Sequence, residues 1–374
     1  MVYMRKHPPL CVAIASVTAL FSITGQQAAA QGCVAARCPV NLSPGEMILH
    51  GEGEESTGWQ ATIGYRWLRS ARHFTGTHED TERREEGSQV VNNSHFVDVA
   101  LTYEVTPRFS ATLTMPFVNH DRSSVVRNLS REIIERYHVQ SHGLGDIRLG
   151  GNYWVFDPMS RPKGNVLVSL GVDLPTGDDD VEDIHRRFNP ATGLVEDVVR
   201  TVDQSIQPGD GGWGIPIDLY AYYSFNDRLA GYLSGSYSIT PEEQNGVLTG
   251  RGNPYESEMS VADTFAARLG MEYVLSPKNG ISVSLGLRAE GVPVYDLVGG
   301  SDGFRRPGIA VSTEPGISWM KNGWSASVTV PIAIYRERFQ SVPDKQLEAA
   351  TGVPRHGDAA FADYLVMVTV GRHF

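Results

Sequence analysis

Residues 166–174 read Val-Leu-Val-Ser-Leu-Gly-Val-Asp-Leu, and this stretch decides the fold class. Its even-numbered positions are all apolar, while Ser169, Gly171 and Asp173 stand between them. Alternation with a period of two is typical of a β-strand whose two faces meet different surroundings. Residues 109–117, Phe-Ser-Ala-Thr-Leu-Thr-Met-Pro-Phe, repeat the pattern with apolar side chains at odd positions. Both stretches predict strands with one apolar and one polar face.

This alternation recurs in about twelve segments, each roughly ten residues long, as far as the last residue. They lie near residues 58–68, 95–106, 109–118, 145–156, 164–174, 213–225, 228–239, 262–275, 280–290, 308–319, 323–335 and 361–374. Short connections centre on Pro107, Asp157-Pro158, Asn226-Asp227, residues 277–280 and Asn322-Gly323. Long connections cover roughly residues 69–94, 119–144, 175–212, 240–261, 291–307 and 336–360. Short and long connections alternate, as periplasmic turns and surface loops do in outer-membrane barrels. We therefore expect an all-β chain: a transmembrane, antiparallel, up-and-down β-barrel of about 12 strands over residues 57–374.

Aromatic side chains on the apolar parity support a location in the bacterial cell outer membrane, because Trp and Tyr concentrate at both membrane interfaces. The periplasmic set is Trp59, Tyr103, Phe109, Tyr153, Tyr223, Phe225, Tyr273, Trp319, Trp324 and Phe374. The outer set is Trp67, Phe117, Trp213, Tyr237, Phe265 and Tyr364. Phe374 ends an apolar series and predicts an assembly signal, through which the last strand contacts the barrel-assembly machinery. Outer-membrane lipid is the second expected partner.

The N-terminus predicts a cleaved signal peptide over residues 1–30, with Arg5 and Lys6 before an apolar run and small residues at the end. The apolar run is shorter than the roughly 20 residues of a spanning helix. We expect residues 31–56 to form either a plug in the lumen or a periplasmic extension. Cys33 and Cys38 predict a disulfide, although lipidation of Cys33 stays open. The net charge of −11 argues against nucleic acid as a partner.

The polar parity carries the candidate lumen, with charges of both signs that either brace the wall or line a passage for a solute. The candidate lumen-lining residues are Asp98, Glu104, Asp146, Arg148, Trp154, Asp173, Asp218, Tyr220, Tyr222, Arg268, Glu272, Arg288 and Glu314. Glu290 and Asp363 share this parity, as do the aromatic residues Tyr232 and Tyr335. The aromatic rings either stack on a planar solute or simply fill space.

Enzyme motifs are weak, and no catalytic residue, cofactor or metal is expected. Residues 299–303 fit the pattern of a serine-hydrolase elbow, but they lie in a glycine-rich loop rather than between a strand and a helix. His95, on the lipid-facing parity, would suit a membrane-embedded hydrolase, yet no partner Ser can be assigned. The acidic run of residues 178–183 lacks the spaced ligands of a calcium loop and predicts a solvated loop.

Two elements resemble a known family. Residues 143–150, Gly-Leu-Gly-Asp-Ile-Arg-Leu-Gly, and residues 174–178, Leu-Pro-Thr-Gly-Asp, are similar to recurring elements of the outer-membrane family named for the MetA pathway of phenol degradation. The resemblance implies a transporter that admits hydrophobic or aromatic compounds, and it supplies no catalytic residues. The Cys33 and Cys38 extension and the acidic loop depart from that pattern.

The sequence thus favours a channel for passive uptake or efflux of small organic molecules, with the solute unknown. A non-conducting structural or surface-interaction barrel is the alternative, and a membrane-embedded hydrolase is a weaker one.

Overall fold

The alternating segments form a continuous antiparallel wall in the computed structural model, which describes residues 58–374. The strands are β1 (Trp59–Thr75), β2 (His78–Glu79), β3 (Val91–Thr106), β4 (Phe109–Arg127), β5 (Ile133–Leu144), β6 (Ile147–Trp154), β7 (Gly164–Leu174), β8 (Glu182–Asn189), β9 (Leu194–Thr201), β10 (Ile215–Ser224), β11 (Leu229–Ile239), β12 (Gln244–Leu248), β13 (Glu258–Ser260), β14 (Thr264–Ser276), β15 (Ile281–Val292), β16 (Gly308–Lys321), β17 (Trp324–Thr329), β18 (Ile332–Arg338) and β19 (Ala359–His373). The α-helices are α1 (Thr81–Glu85) and α2 (Val342–Thr351). Single 3₁₀ turns cover Gln204–Ile206, Pro254–Glu256 and Pro277–Asn279.

The last strand closes the wall on the first. β19 pairs antiparallel with β1 from Gln60 opposite His373 to Phe74 opposite Ala359. The Phe374 N–H also donates to the Trp59 carbonyl at 2.8 Å. Two spanning strands are interrupted, one between β5 and β6 and one between β17 and β18. Counted this way, the residues that the structure describes form a closed 12-stranded barrel, which confirms the predicted fold class.

The tight turns lie at the five predicted positions. Asn322 and Gly323, between β16 and β17, have φ angles of 53° and 71°. Two consecutive positive φ angles define the hairpin turn whose twist matches that of the flanking strands, and Asn-Gly is its preferred sequence. The turn residues therefore fix the register of β16 against β17.

Several segments predicted as long loops are instead paired strands, and this prediction was wrong. β1 continues to Thr75, and β4 and β5 form a hairpin that covers most of residues 119–144. The outward residues of this hairpin are polar, Asn119, Asp121 and His142 among them. We infer that these ends rise beyond the membrane, where water contacts the outer face. The apolar alternation then stops although the backbone pairing continues.

The outer surface of the wall is apolar over the spanning part. Leu170, in the stretch that predicts the fold, is 61% exposed, and every residue of the predicted periplasmic aromatic set is also exposed. In the outer set, Trp67 and Tyr237 are half-buried and donate hydrogen bonds to Asn93 and Asp263. No helix among residues 58–374 is long and apolar enough to cross a membrane.

Candidate channel lumen and loop cap

Register brings one part of the predicted lumen residues together as a charged wall on β14, β15 and β16. The Arg268 guanidinium contacts Glu314, and the second Glu314 carboxylate oxygen lies 3.6 Å from Arg288. Arg288 also pairs with Glu290 at 2.7 Å, and Glu272 accepts a hydrogen bond from Ser318 at 3.0 Å. Glu272 and Glu314 are each 1% exposed. Burial of this kind requires paired charges, because an isolated ion would keep its full desolvation cost.

Two further ion pairs brace other parts of the wall. Arg66 and Asp98, on β1 and β3, approach to 3.1 Å and are both buried. Arg66 lies on the inward parity of β1 but is not among the residues predicted from the sequence to line the lumen. Arg148 on β6 binds Asp173 on β7 at 2.6 Å and lies 3.9 Å from Asp218 on β10. Each pair links neighbouring strands, so these charges follow from register.

Glu104 lies apart from these networks at the periplasmic end of the wall, where its carboxylate is 3.6 Å from the His373 imidazole.

The adjoining part of the wall, on β6, β7, β10 and β11, is aromatic. Tyr220, Tyr222, Tyr232 and Leu167 form a buried cluster, and Trp154 packs against its edge. The centroids of the Trp154 and Tyr222 rings are 6.3 Å apart with the planes nearly perpendicular, which is a favourable aromatic geometry. The Tyr232 side chain lies across Gly270 and Gly286, where an added Cβ would come within 2.5 Å of its hydroxyl. Glycine at both positions lets the ring lie flat against the wall.

The aromatic and charged parts meet along one row of the sheet. Successive strand pairs align Trp154 with Leu167, Leu167 with Tyr220, Tyr220 with Ser234, Ser234 with Arg268, and Arg268 with Arg288. The Arg268 guanidinium also lies 5.8 Å from the centroid of the Tyr232 ring. The row thus runs from aromatic side chains on β6 and β10 to guanidinium groups on β14 and β15.

Above the wall, four long loops pack together inside the outer ends of the strands, and we call residues 175–214, 240–263, 293–307 and 339–358 the loop cap. Its core contains the fully buried Val202, Ile206 and Val261. Gln204 donates to the Ser260 carbonyl at 2.6 Å, which joins the first loop to the second. Ser141, on the inner face of β5, donates to the Ile206 carbonyl. The cap therefore contacts the inner surface of the wall.

Asp203 is the main electrostatic link of the loop cap. Its carboxylate accepts two hydrogen bonds from Arg306, at 2.8 and 3.0 Å, and lies 3.4 Å from the Arg122 guanidinium on β4. Burial alone would raise the pKa of Asp203, but Arg122 and Arg306 outweigh it and hold that pKa far below its usual range. The same carboxylate accepts from the Ser205 N–H at 3.1 Å. One side chain thus joins two loops and the wall.

Other buried charges reinforce the loop cap. Arg305 forms a two-point pair with Asp296, at 2.7 and 2.5 Å, and both side chains are almost fully buried. Burial, with the neighbouring Arg306, lowers the pKa of Arg251 to about 10. Sequence parity could not find these residues, because they lie in irregular loops where no strand period applies.

The two sequence elements that resemble the MetA-pathway family, residues 143–150 and 174–178, form hydrogen bonds with each other at the base of the loop cap. The Thr176 hydroxyl accepts from the Ile147 N–H at 2.9 Å and donates to the Gly145 carbonyl at 3.0 Å. The Asp146 carboxylate accepts from the N–H groups of Gly177 and Asp210, at 3.0 and 3.2 Å. Asp146, predicted to line the lumen, therefore anchors the loop that follows β7.

Two inward predictions were wrong. The pairing of β18 with β16 shifts between Tyr335 and Ala333, and the extra residue turns Tyr335 outward, where it is 43% exposed. The side chain of Asp363 is 54% exposed, beside an irregularity in the pairing of β19 with β1. Asp363 contacts Arg72 and Arg336, at 2.9 and 2.8 Å. A bulge inverts parity, and the sequence pattern alone does not reveal it.

The remaining motifs show no enzyme geometry. The Nδ1 atom of His95 lies 2.8 Å from the Tyr65 hydroxyl, and its Nε2 lies 3.3 Å from the Asn93 amide. The Ser301 hydroxyl accepts from the Asp296 N–H within the loop cap. Neither residue forms the Ser and His pair of a hydrolase.

Three consecutive carboxylates, Asp178, Asp179 and Asp180, converge at the start of the loop cap, with oxygen atoms within 4.8 Å of one another. Burial, together with these neighbouring carboxylates, raises the pKa of Asp179. Exposed acidic clusters are common in surface loops without an ion, so the geometry assigns no metal.

The signal peptide over residues 1–30, the Cys33 and Cys38 disulfide, the lipidation of Cys33 and the plug at residues 31–56 lie outside the described residues.

No protein-family model matches the chain, and no curated protein matches it in sequence. The COG4313 outer membrane channel from Pseudomonas putida F1 is 10% identical, covers 89% of this chain and 100% of its own, and superposes with a TM-score of 0.54. The Pseudomonas putida toluene transporter TodX is 9% identical over 93% of this chain and 96% of its own, with a TM-score of 0.41. The translocator domain of the autotransporter NalP from Neisseria meningitidis is 12% identical over 88% of this chain and 93% of its own, with a TM-score of 0.43. The first comparison shows that the chain has the fold of an outer-membrane β-barrel.

Proposed function

We propose that this protein is an outer-membrane channel that passes small organic molecules, aromatic ones among them, by passive diffusion. The observation that carries the proposal is the row across the inner face, where Trp154, Leu167 and Tyr220 continue into Arg268 and Arg288. Aromatic rings bind planar solutes by stacking, and guanidinium groups bind their polar substituents. A wall built only for bracing has no need of an aromatic sector beside its ion pairs.

We further propose that the protein belongs with the outer-membrane family named for the MetA pathway of phenol degradation. The two family-like elements support this assignment, since Asp146 and Thr176 bond one element to the other. Two motifs that contact each other in the structure are stronger support for a family assignment than two motifs that match only in sequence. The COG4313 channel, whose fold this chain shares, supports the coarser class of outer-membrane transport barrels.

Blocking the row tests the channel. Ser234 faces inward between Tyr220 and Arg268, whereas the adjacent Leu233 faces lipid and is 44% exposed. In proteoliposomes that swell in isotonic nicotinamide, a soluble aromatic amide, we expect Ser234→Trp to lower the swelling rate several-fold. Leu233→Trp adds the same ring on the opposite face and is expected to swell at the wild-type rate.

The folded fraction of each variant is measured by its shift on an unheated denaturing gel, so that misfolding is not read as blockage. Wild-type vesicles that swell no faster than protein-free vesicles, in nicotinamide and in smaller solutes alike, would contradict the channel.

A surface-interaction barrel is the second candidate, favoured by the hairpin of β8 and β9. Its Leu194 and Val199 side chains are 66% and 63% exposed. Failure of swelling with every solute, together with unchanged folding, would favour this candidate over the channel.

A further inference from the structure

Tyr220 is the most buried aromatic residue of the lumen that carries a polar group without a partner. Its side chain is 5% exposed and packs with Tyr222, Tyr232 and Leu167. Among the described residues, its hydroxyl has no hydrogen-bond partner. Other tyrosines of this barrel are paired, since Tyr237 donates to Asp263 and Tyr65 contacts His95, each at 2.8 Å. A buried Tyr hydroxyl usually finds such a partner, so Tyr220 is an exception.

The charged groups near Tyr220 already have other partners. Glu272 and Arg268 both act electrostatically on its hydroxyl. Glu272, however, accepts from Ser318, and Arg268 contacts Glu314. Neither of these contacts includes the Tyr220 hydroxyl, which has no hydrogen-bond partner among the described residues. A buried donor left this way carries a desolvation cost that a suitable ligand removes.

The surroundings of Tyr220 define the ligand. Tyr220 and Tyr222 have ring centroids 6.5 Å apart with planes tilted by 37°, and Trp154 stands beside them. Such rings bind a planar aromatic solute but do not discriminate its substituents. Trp154 packs against this cluster and is only partly buried. A directional group is needed for selectivity, and among the described residues the Tyr220 O–H is the hydroxyl of this cluster that is buried and has no hydrogen-bond partner.

We propose that Tyr220 is the specificity-determining residue of the lumen, and that its hydroxyl donates a hydrogen bond to an acceptor, such as a carbonyl oxygen, on a planar aromatic solute. This inference rests on the proposed channel function. It selects carbonyl-bearing aromatics over bare aromatic hydrocarbons of the same shape. No covalent step is involved.

Two shape-matched probes test the inference: 4-fluoroacetophenone, which has the carbonyl acceptor, and 4-fluoro-α-methylstyrene, in which a methylene group replaces the carbonyl oxygen. Binding of each to the detergent-solubilised barrel is followed by the ¹⁹F NMR shift and line width. One recovered hydrogen bond predicts about tenfold tighter binding of the ketone. Tyr220→Phe keeps the ring and removes the hydroxyl, and it is expected to bring the two affinities together.

Tyr223→Phe makes the same chemical change on the lipid-facing side, where Tyr223 is 57% exposed, and is expected to keep the wild-type ratio. Partition of the probes into detergent is equal for all variants, so the ratio between variants reports the protein site. Tyr220→Phe is also expected to fold as well as wild type, because it removes an unpaired buried group.

A ketone preference that survives Tyr220→Phe, or no preference in the wild type, would overturn the inference. Vesicle swelling separates this result from failure of the channel. Swelling in nicotinamide with no ketone preference leaves the channel and rejects the role of Tyr220. Absence of swelling with every solute rejects the channel itself.

Discussion

The inner face of the barrel wall and the loop cap both bury charged side chains, but they obtain their partners differently. In the wall, Arg148 stands directly opposite Asp173 on the neighbouring strand. In the loop cap, Arg306 and Asp203 are 103 residues apart in the sequence. The pairs of the wall join strands one or two places apart in the sheet, whereas the Asp203 pairs of the cap require two separate loops to meet beside the wall. The stability of the cap therefore depends on a few long-range ion pairs, whereas the stability of the wall is shared among many strand contacts.

Removing the central carboxylate of the cap is expected to have the largest effect. Asp203→Ala leaves the buried Arg122 and Arg306 without the acidic group that both contact. Breaking one side of a buried ion pair costs about 3–5 kcal/mol. We expect the cap to open to trypsin while the 12-stranded wall persists, as measured by limited proteolysis and by the gel shift of the folded barrel.

Ser205→Ala is the control, because it removes a neutral hydroxyl that donates to the same carboxylate at 2.7 Å and accepts from Arg122 at 3.3 Å, but leaves every charged group in place. A cap equally resistant in Asp203→Ala and in wild type would show that the comparison between cap and wall is wrong.

The second-largest effect is expected from acid, which should destabilise the cap. The folded-state pKa of Asp203 is depressed. Its stabilisation is therefore present above the unfolded value of about 3.9 and is lost as the pH falls toward the folded value. Asp358 contributes with the same sign: burial opposes the shift, but His73 and Arg83 lower its pKa. We expect trypsin resistance of the cap to be constant from about pH 7 to about pH 5 and to fall below about pH 4, by acid incubation before neutral digestion.

Asp203→Asn should flatten this acid dependence and leave the part due to Asp358. An unchanged acid profile in Asp203→Asn would assign the dependence to other groups.

A substitution in the wall tests how much one packing contact contributes to the stability of the wall. An added Cβ on Gly286 would meet the Tyr232 hydroxyl at 2.5 Å and the Leu269 carbonyl at 2.9 Å. Overpacking of this kind costs about 1–3 kcal/mol, so Gly286→Ala should lower the free energy of unfolding by that amount. Gly235→Ala is the matched control, since its nearest neighbour, the Ala266 carbonyl, is 4.0 Å away. Guanidinium unfolding in lipid vesicles measures the free energy of unfolding of both variants. Equal values for Gly286→Ala and Gly235→Ala would contradict the packing of Tyr232 on Gly286.

The smallest effect is expected at the start of α2, within the cap. The Ser341 hydroxyl accepts from the Asp344 N–H at 3.1 Å, and the Asp344 carboxylate accepts from the Ser341 N–H at 3.1 Å. Ser341→Ala removes half of this capping box and should cost about 1 kcal/mol. Ser341→Thr keeps the acceptor and should behave as wild type in hydrogen exchange of the helix. If the amides of α2 exchange at the same rate in Ser341→Ala and in wild type, packing alone stabilises the helix.

Prediction from sequence worked where one physical rule acts over a long stretch. The face of Asp98, Arg148, Tyr220 and Glu314 follows from alternation, since each strand must present apolar side chains to lipid. It failed at Tyr335, where one extra residue inverts the parity of β18. It also missed the outer ends of β4 and β5, where the outward face carries polar residues such as Asn119, Asp121 and His142.

The sequence by itself determined the 12 spanning strands and their turns, because a period of two and the turn residues are local properties. Only the tertiary structure decided that the loops fold inward as a cap, that Asp203 joins them, and that the Tyr220 hydroxyl is left unpaired. These features depend on contacts between residues far apart in the chain. Such contacts carry no periodic signature, since the closed barrel alone brings their partners together.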